Sequence, residues 1–154
     1  ANDYTRGLDS LAAIYRTCEA RGLPVLVHTG TSIFPGARSK YGNPMELDDV
    51  AIDFPELRLI MAHGGRPLYM AEAFFVLRRH KRMMLDLSGI PPKSLLEYFP
   101  RIAELEHQLL WGTDWPSPGV ESMQKNVDQF LALSLDESVK RKALETNPER
   151  WLPI

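Results

Sequence analysis

Short, continuous apolar runs alternate along the chain with segments in which apolar residues recur every three or four positions. The continuous runs are typical of strands buried on both faces; they lie at 24–28, 57–62, 83–88 and 107–111. The periodic segments predict helices with one apolar face; they lie at 8–18, 47–54, 67–80, 91–102, 120–134 and 137–146. The chain is thus predicted to begin with a helix and then to repeat strand and helix.

This repeat predicts an α/β domain with a parallel sheet. The predicted strands start about 25 to 35 residues apart, which is the usual length of a βαβ unit. Four such units make either a small open sheet or half of an eight-stranded barrel, whose usual length is about 250 residues. The chain has 154 residues, so one domain is the upper limit. Periodicity alone leaves the open sheet and the half-barrel as alternatives.

Composition narrows the classes of function. The formal net charge of -2 and the 25% of charged residues give no basic surface for nucleic acid or an anionic membrane. No apolar run approaches the roughly 18 residues that span a bilayer, and the single cysteine, Cys18, forbids an internal disulfide. We therefore expect a cytoplasmic protein that acts on a small molecule. The chain opens with Ala1 rather than methionine, which favours a processed or truncated product.

Polar residues stand where the predicted strands end. His28 ends the first run, His63 follows the second and Asp114 follows the fourth. The carboxyl ends of parallel strands share the face on which ligands bind, so these side chains should converge. Two imidazoles and a carboxylate suit zinc or another divalent ion, which would make hydroxide available near neutral pH. Asp86, inside the third run, would either point into a barrel interior or pair with a neighbouring strand.

Each of these residues also has a structural interpretation. A histidine at a strand end, such as His28, is as often a hydrogen-bonded structural residue as a functional one. The two glycines after His63 allow a backbone to approach a ligand closely, although a tight turn would explain them too. Asp114 would suit a turn, and Trp115 would suit the core.

Four segments in order resemble one known family over nearly the whole chain. They are 25–30 (VLVHTG), 54–65 (FPELRLIMAHGG), 110–116 (LWGTDWP) and 147–151 (NPERW). The set is similar to the amidohydrolase-related family of metal-dependent TIM-barrel hydrolases and decarboxylases, which includes the aminocarboxymuconate semialdehyde and hydroxybenzoate-type decarboxylases. The ordered set is much more specific than any single segment.

The resemblance implies a role for each candidate residue. His28 would be the metal ligand that ends strand 5 of the barrel, and His63 the catalytic histidine that ends strand 6. Asp114 would be the strand 8 carboxylate, which binds metal or handles the proton. Apart from the resemblance, Arg66 after the glycine pair is expected to bind a substrate carboxylate, with a solvent-facing arginine at a helix start as the alternative. Trp115 is the second expected substrate contact, and the long loop at 29–43 is expected to cover the site as a lid.

The resemblance also implies a deficit. The family's strand 1 His-x-His pair, which supplies two further metal ligands, has no counterpart in this sequence. Residues 1–154 would then form a single C-terminal half-barrel segment, with strands 5 to 8 only. A half-barrel leaves two edge strands unpaired. We expect closure by a missing N-terminal portion, by a second half-barrel subunit, or by self-association as a homo-oligomer.

The expected activity is that of a metal-dependent hydrolase that acts on a small carboxylated or lactone-type substrate. The expected metal is a divalent ion, and zinc is the leading candidate. A decarboxylase of the same family is the first alternative. The second is a non-catalytic half-barrel that binds a partner or ligand. The strand 5 to 8 residues alone should hold zinc weakly, because only His28 and Asp114 are expected as direct ligands.

Overall fold

The computed structural model describes residues 9–152, in which four parallel strands form one sheet. Their order in the sheet is their order in the chain: β1 (Pro24–His28), β2 (Arg58–Ala62), β3 (Met83–Asp86) and β4 (Leu109–Leu110). The predicted parallel α/β architecture is confirmed. Because each strand lies next to its predecessor, the four carboxyl ends lie side by side.

Helices connect the strands and complete the chain. They are α1 (Asp9–Arg21), α2 (Glu46–Asp53), α3 (Met70–Arg79), α4 (Leu95–Tyr98), α5 (Met123–Leu131), α6 (Glu137–Arg141) and α7 (Asn147–Trp151). A single π-helical turn, Lys142–Thr146, joins α6 to α7. No helix in the described range is long and apolar enough to cross a membrane.

Two predicted strands are shorter in the structure than in the sequence interpretation. β3 ends at Asp86, because Leu87 and the residues after it enter a turn that contains Gly89 at φ 66°. β4 begins only at Leu109, because a 3-10 helix occupies the preceding segment. The predicted helix at 91–102 is likewise divided, since α4 ends just before Pro100. The predicted apolar position Leu8 lies outside the described residues.

The two faces of the sheet have different partners. Alternate residues such as Leu59, Met61 and Leu85 belong to the main core, in which the helices cover the outer face of the sheet. Their neighbours point the other way; Ile60, Met84 and Leu110 form a second buried cluster with Trp151 of α7. Leu26 on β1 is in register with Ile60 yet 59% exposed. Among the residues that the structure describes, the inner face is therefore covered on the side of β4 and exposed at β1.

Arg58 fixes the covering helix to the amino end of the sheet. Its guanidinium lies over the ring of Trp151, with 5.0 Å from Cζ to the ring centroid. It donates hydrogen bonds to the carbonyl oxygens of Trp151 and Arg150, and to that of Gly22 at the end of α1. The candidate residues lie at the opposite, carboxyl end of the sheet.

Candidate functional site

The parallel pairing of β1 and β2 brings the two predicted site histidines together. His28 is in register with Ala62, and His63 follows Ala62 directly. The two imidazole rings have centroids 5.0 Å apart and planes at 68°. His63 is buried, whereas His28 is exposed on the described surface. The predicted convergence of these two residues is therefore present.

The turn after β2 holds His63 in an uncommon backbone conformation. His63 has φ 70°, and Gly64 and Gly65 follow with φ 56° and 74°. A Cβ on Gly64 would lie 2.7 Å from the ring of Phe99. The hydroxyl of Thr29 accepts the Gly65 N–H at 2.9 Å and donates to the Ala62 carbonyl at 2.7 Å. The glycine pair thus forms a tight turn that positions His63, which is the structural interpretation; the close approach of a ligand stays a prediction.

A carbonyl group determines which nitrogen of His63 carries the proton. Nδ1 lies 2.7 Å from the carbonyl oxygen of Ser88 and 3.2 Å from the Ser88 hydroxyl oxygen. A carbonyl oxygen can only accept, so Nδ1 must be the donor. In the neutral ring, Nε2 is then the nitrogen with a free lone pair.

Asp86 is linked to this contact by two hydrogen bonds from Ser88. The Ser88 hydroxyl donates to Asp86 Oδ2 at 2.5 Å, and its backbone N–H donates to Oδ1 at 3.0 Å. Burial raises the pKa of Asp86, although both hydrogen bonds from Ser88 act in the opposite direction. Asp86 is thus tied to its own strand end rather than to a neighbouring strand. Sequence reasoning missed Ser88, whose only signal was its spacing two residues after Asp86.

We expect neutral His63 to hold its proton on Nδ1, because the Ser88 carbonyl accepts from that atom. The imidazole ¹⁵N shifts measured by NMR should show a bare Nε2. Ser88→Ala keeps the carbonyl and should leave this tautomer unchanged, which makes it the matched control. A spectrum with the proton on Nε2 would contradict the assignment.

Arg66 is clamped between the loops that follow β1 and β3. Its Nε donates to the Gly89 carbonyl, and Nη1 lies 3.4 Å from the Thr31 carbonyl. A Cβ on Gly89 would lie 2.6 Å from Arg66 Nη2 and 2.9 Å from His63 Nδ1. Gly89 is therefore needed for both side chains to take their positions. Burial lowers the pKa of Arg66, and the charge of Asp114 acts in the opposite direction.

Asp114 sits in the loop after β4 at φ 61°, in the left-handed region. Its charge acts on His28: burial, His63 and Arg66 lower the pKa of that imidazole, and Asp114 raises it. Trp115 is 51% exposed, so the alternative that it belongs to the core is wrong. Its predicted contact with substrate stays a prediction.

The loop at 29–43 lies against His28. Arg38, Tyr41 and Phe34 line a cleft of about 370 Å3 together with that histidine. Lys40 lies over the Tyr41 ring, 4.9 Å from its centroid. This placement is what a covering loop requires, and its closure over a ligand stays a prediction.

The candidate site residues that the structure describes do not complete a metal centre by themselves. Within residues 9–152, no group of three or more His, Cys, Asp or Glu side chains is arranged to hold a metal ion. A catalytic zinc usually has three protein ligands. His28 and Asp114 are of suitable chemical type, but further ligands are needed.

Comparisons with known proteins place this geometry in a family. A family model described as amidohydrolase matches residues 2–154. No curated protein matches the chain. An uncharacterized TIM-barrel protein from Bordetella bronchiseptica is similar at 28% identity and a TM-score of 0.77, over 94% of this chain and 50% of that one.

Two further solved structures share the fold at lower identity. A 5-carboxyvanillate decarboxylase from Sphingomonas paucimobilis is 19% identical with a TM-score of 0.65, over 100% of this chain and 56% of that one. A probable 2-pyrone-4,6-dicarboxylic acid hydrolase from Acinetobacter baumannii is also 19% identical with a TM-score of 0.65, over 94% of this chain and 57% of that one.

The chain spans about half the length of the solved structures it matches. Its four parallel strands with flanking helices correspond to half of a TIM barrel, which confirms the half-barrel over the open sheet. The family match extends over almost the whole sequence, and its solved neighbours include a decarboxylase and a probable hydrolase. The chain belongs to the amidohydrolase family.

Proposed function

We propose that this chain supplies half of the active site of a metal-dependent hydrolase that acts on a small carboxylated or lactone-type substrate. One observation carries the proposal: the buried ring of His63, held in a single tautomer by Ser88, lies 5.0 Å from the ring of His28. A base with a fixed orientation at the carboxyl end of a parallel sheet is what acid–base catalysis requires.

The two protonatable groups have different parts in the proposed reaction. Asp114 takes one proton of the water whose oxygen bonds to the substrate carbonyl carbon; the acyl C–O bond of the lactone then breaks, and Asp114 returns the proton to the leaving oxygen. Neutral His63 has no proton on Nε2, so that atom accepts a proton and does not donate one to a carbonyl oxygen. We therefore assign His63 to proton transfer rather than to polarising the carbonyl.

A divalent metal, with zinc expected first, supplies a Lewis acid and a more acidic water when bound. His28 and Asp114 are the ligands we assign from this chain. The remaining ligands would come from outside the described residues. A putative metal-dependent hydrolase from Lactobacillus casei shares the fold, at 16% identity and a TM-score of 0.59 over 94% of this chain and 44% of that one.

We propose that four further β/α units complete the barrel. In the described range, β1 and β4 each pair with a strand on one side only. Leu26 on β1 presents an apolar side chain that is 59% exposed on the inner face. The units would come from another part of the same protein or from a second subunit.

The metal content of the size-resolved protein that contains this chain tests the proposal. Elemental mass spectrometry should find about one divalent metal per chain in the complete barrel, and a His28→Ala variant should lose most of it. No metal after zinc is offered would contradict a metal-dependent function.

The products distinguish hydrolysis from decarboxylation. We would offer 2-pyrone-4,6-dicarboxylate and 5-carboxyvanillate, the compounds named for two of the solved neighbours. Ring opening without release of CO2 supports the hydrolase. Release of CO2 would replace it with the decarboxylase, whereas turnover of neither by the metal-loaded protein would contradict this substrate class.

A further inference from the structure

The carboxylate of Asp86 lies in a crowded position at the carboxyl end of the sheet. Asp86 is the last residue of β3 and is in register with Ala62 of β2 and Leu110 of β4. A Cβ on Gly112, in the segment after β4, would lie 2.8 Å from Asp86 Oδ1, so a larger residue there would displace the carboxylate. Burial raises the pKa of Asp86, since it disfavours the charged form. A carboxylate in this position therefore needs hydrogen-bond donors that compensate for its burial.

Ser88 donates to both oxygens of this carboxylate. Its backbone N–H donates to Asp86 Oδ1 at 3.0 Å, and its hydroxyl donates to Oδ2 at 2.5 Å. Ser88 is only 6% exposed, so water competes little for these bonds. Two donors of one residue require two acceptor atoms side by side. An aspartate provides them, whereas an asparagine of the same shape provides one acceptor and one NH2 donor.

The direction of the hydroxyl bond determines what His63 meets. Because the hydroxyl proton of Ser88 points at Asp86, the lone pairs of the hydroxyl oxygen are left for other partners. That oxygen lies 3.2 Å from His63 Nδ1, and the Ser88 carbonyl oxygen lies 2.7 Å from the same atom. The Nδ1–H group thus faces two acceptors on one residue. A reversed hydroxyl would direct its own proton at Nδ1–H, and two donors would then oppose each other.

We propose that Asp86 is a positioning residue for His63: it accepts the Ser88 hydroxyl proton, and both Ser88 oxygens thereby stay available to Nδ1–H. The imidazole then keeps its proton on Nδ1 and leaves Nε2 bare. The inference rests on the proposed function only in assigning proton transfer to Nε2. The competing interpretation is that the two bonds only close the turn after β3, which requires no effect on the His63 tautomer.

Asp86→Asn in the complete protein separates the two interpretations. The asparagine oxygen still accepts the Ser88 N–H, but its NH2 group donates to the hydroxyl and turns the hydroxyl proton toward Nδ1. The imidazole ¹⁵N spectrum should then show a fraction of neutral His63 with its proton on Nε2, which the unmodified protein lacks. With 2-pyrone-4,6-dicarboxylate as substrate, kcat should fall about tenfold, because the ring is partly in the wrong tautomer. KM should stay within about twofold.

Removing the hydroxyl should rescue this variant. In Asp86→Asn combined with Ser88→Ala, no hydroxyl proton remains to oppose Nδ1–H, and the Ser88 carbonyl still accepts from it. We expect the double variant to match Ser88→Ala in its ¹⁵N spectrum and, within about twofold, in kcat. Asp49→Asn, at an exposed carboxylate on α2, removes the same charge elsewhere and should change neither measurement.

The contrary results are equally definite. A folded Asp86→Asn variant with the proton on Nδ1 alone would overturn the proposal, and so would a double variant that is about tenfold less active than Ser88→Ala. If Asp86→Asn does not fold, the comparison of the double variant with Ser88→Ala decides alone. If neither Asp86→Asn nor the double variant folds, Asp86 is a structural residue of the turn and the proposal is overturned.

The spectra also separate this proposal from the proposed function, because they require no turnover. The expected shift and its rescue, in a protein that holds no metal and turns nothing over, would refute the proposed function and leave the action of Asp86 on His63 standing. Turnover with unchanged spectra in Asp86→Asn would do the reverse.

Discussion

Replacing Asp114 by asparagine is expected to lower kcat of the complete enzyme by about 10²- to 10⁴-fold, the usual contribution of a general acid or base. Asparagine removes the charge and the proton-accepting oxygen pair but keeps the shape of the side chain. It also tolerates the left-handed backbone at φ 61°, which an alanine would tolerate less well. The variant should therefore lose activity because it lacks the carboxylate, while its unfolding transition stays unchanged.

A matched carboxylate elsewhere separates this effect from a change of net charge. Asp128 on α5 is exposed and accepts a hydrogen bond from the Gln124 side chain. Asp128→Asn should leave kcat within about twofold of the unmodified enzyme. Initial rates at saturating substrate, with circular dichroism of both variants, supply the measurement. Full activity in a folded Asp114→Asn variant would remove Asp114 from the mechanism.

The 154-residue chain taken alone is expected to associate, and Leu26→Lys should weaken that association by at least about tenfold. Leu26 is 59% exposed on the inner face of β1, at an edge where the described residues provide no further strand. Burying a leucine contributes about 1.5–3 kcal/mol, whereas a lysine on an edge strand opposes pairing.

Sedimentation over a range of protein concentrations measures the effect. Ile52 on α2 is 52% exposed on the helical side, so Ile52→Lys adds the same charge away from β1 and serves as the control. It should leave the association unchanged. A monodisperse monomer of the unmodified chain with a cooperative unfolding transition would refute the expectation.

The order of elements could be predicted from the sequence because each strand is a continuous apolar run. Their ends could not, because they depend on local geometry. The predicted strand continues to Ser88, yet β3 ends at Asp86, and the turn that follows contains Gly89 at φ 66°. A positive φ at glycine is decided by what packs against it, in this case Arg66 and His63.

The candidate site shows the same division. The approach of His28 to His63 follows from parallel strands with polar ends, and the sequence predicted it. The contact from His63 to Ser88 depends on the register in which Ala62 lies opposite Asp86, which no spacing in the sequence specifies.

The contacts of Arg58 with Trp151 lie at one end of the sheet, and the two ends of the sheet should differ in their tolerance of substitutions. Arg58 lies at the amino end of β2, whereas the two histidines of the candidate site lie at the carboxyl ends of β1 and β2. A substitution at Arg58 would therefore reduce how much folded protein a cell accumulates, without altering which compounds that protein accepts. Natural substitutions at Arg58 or Trp151 should therefore change how much of the protein accumulates, whereas substitutions at the carboxyl end of the sheet should change which compounds it accepts.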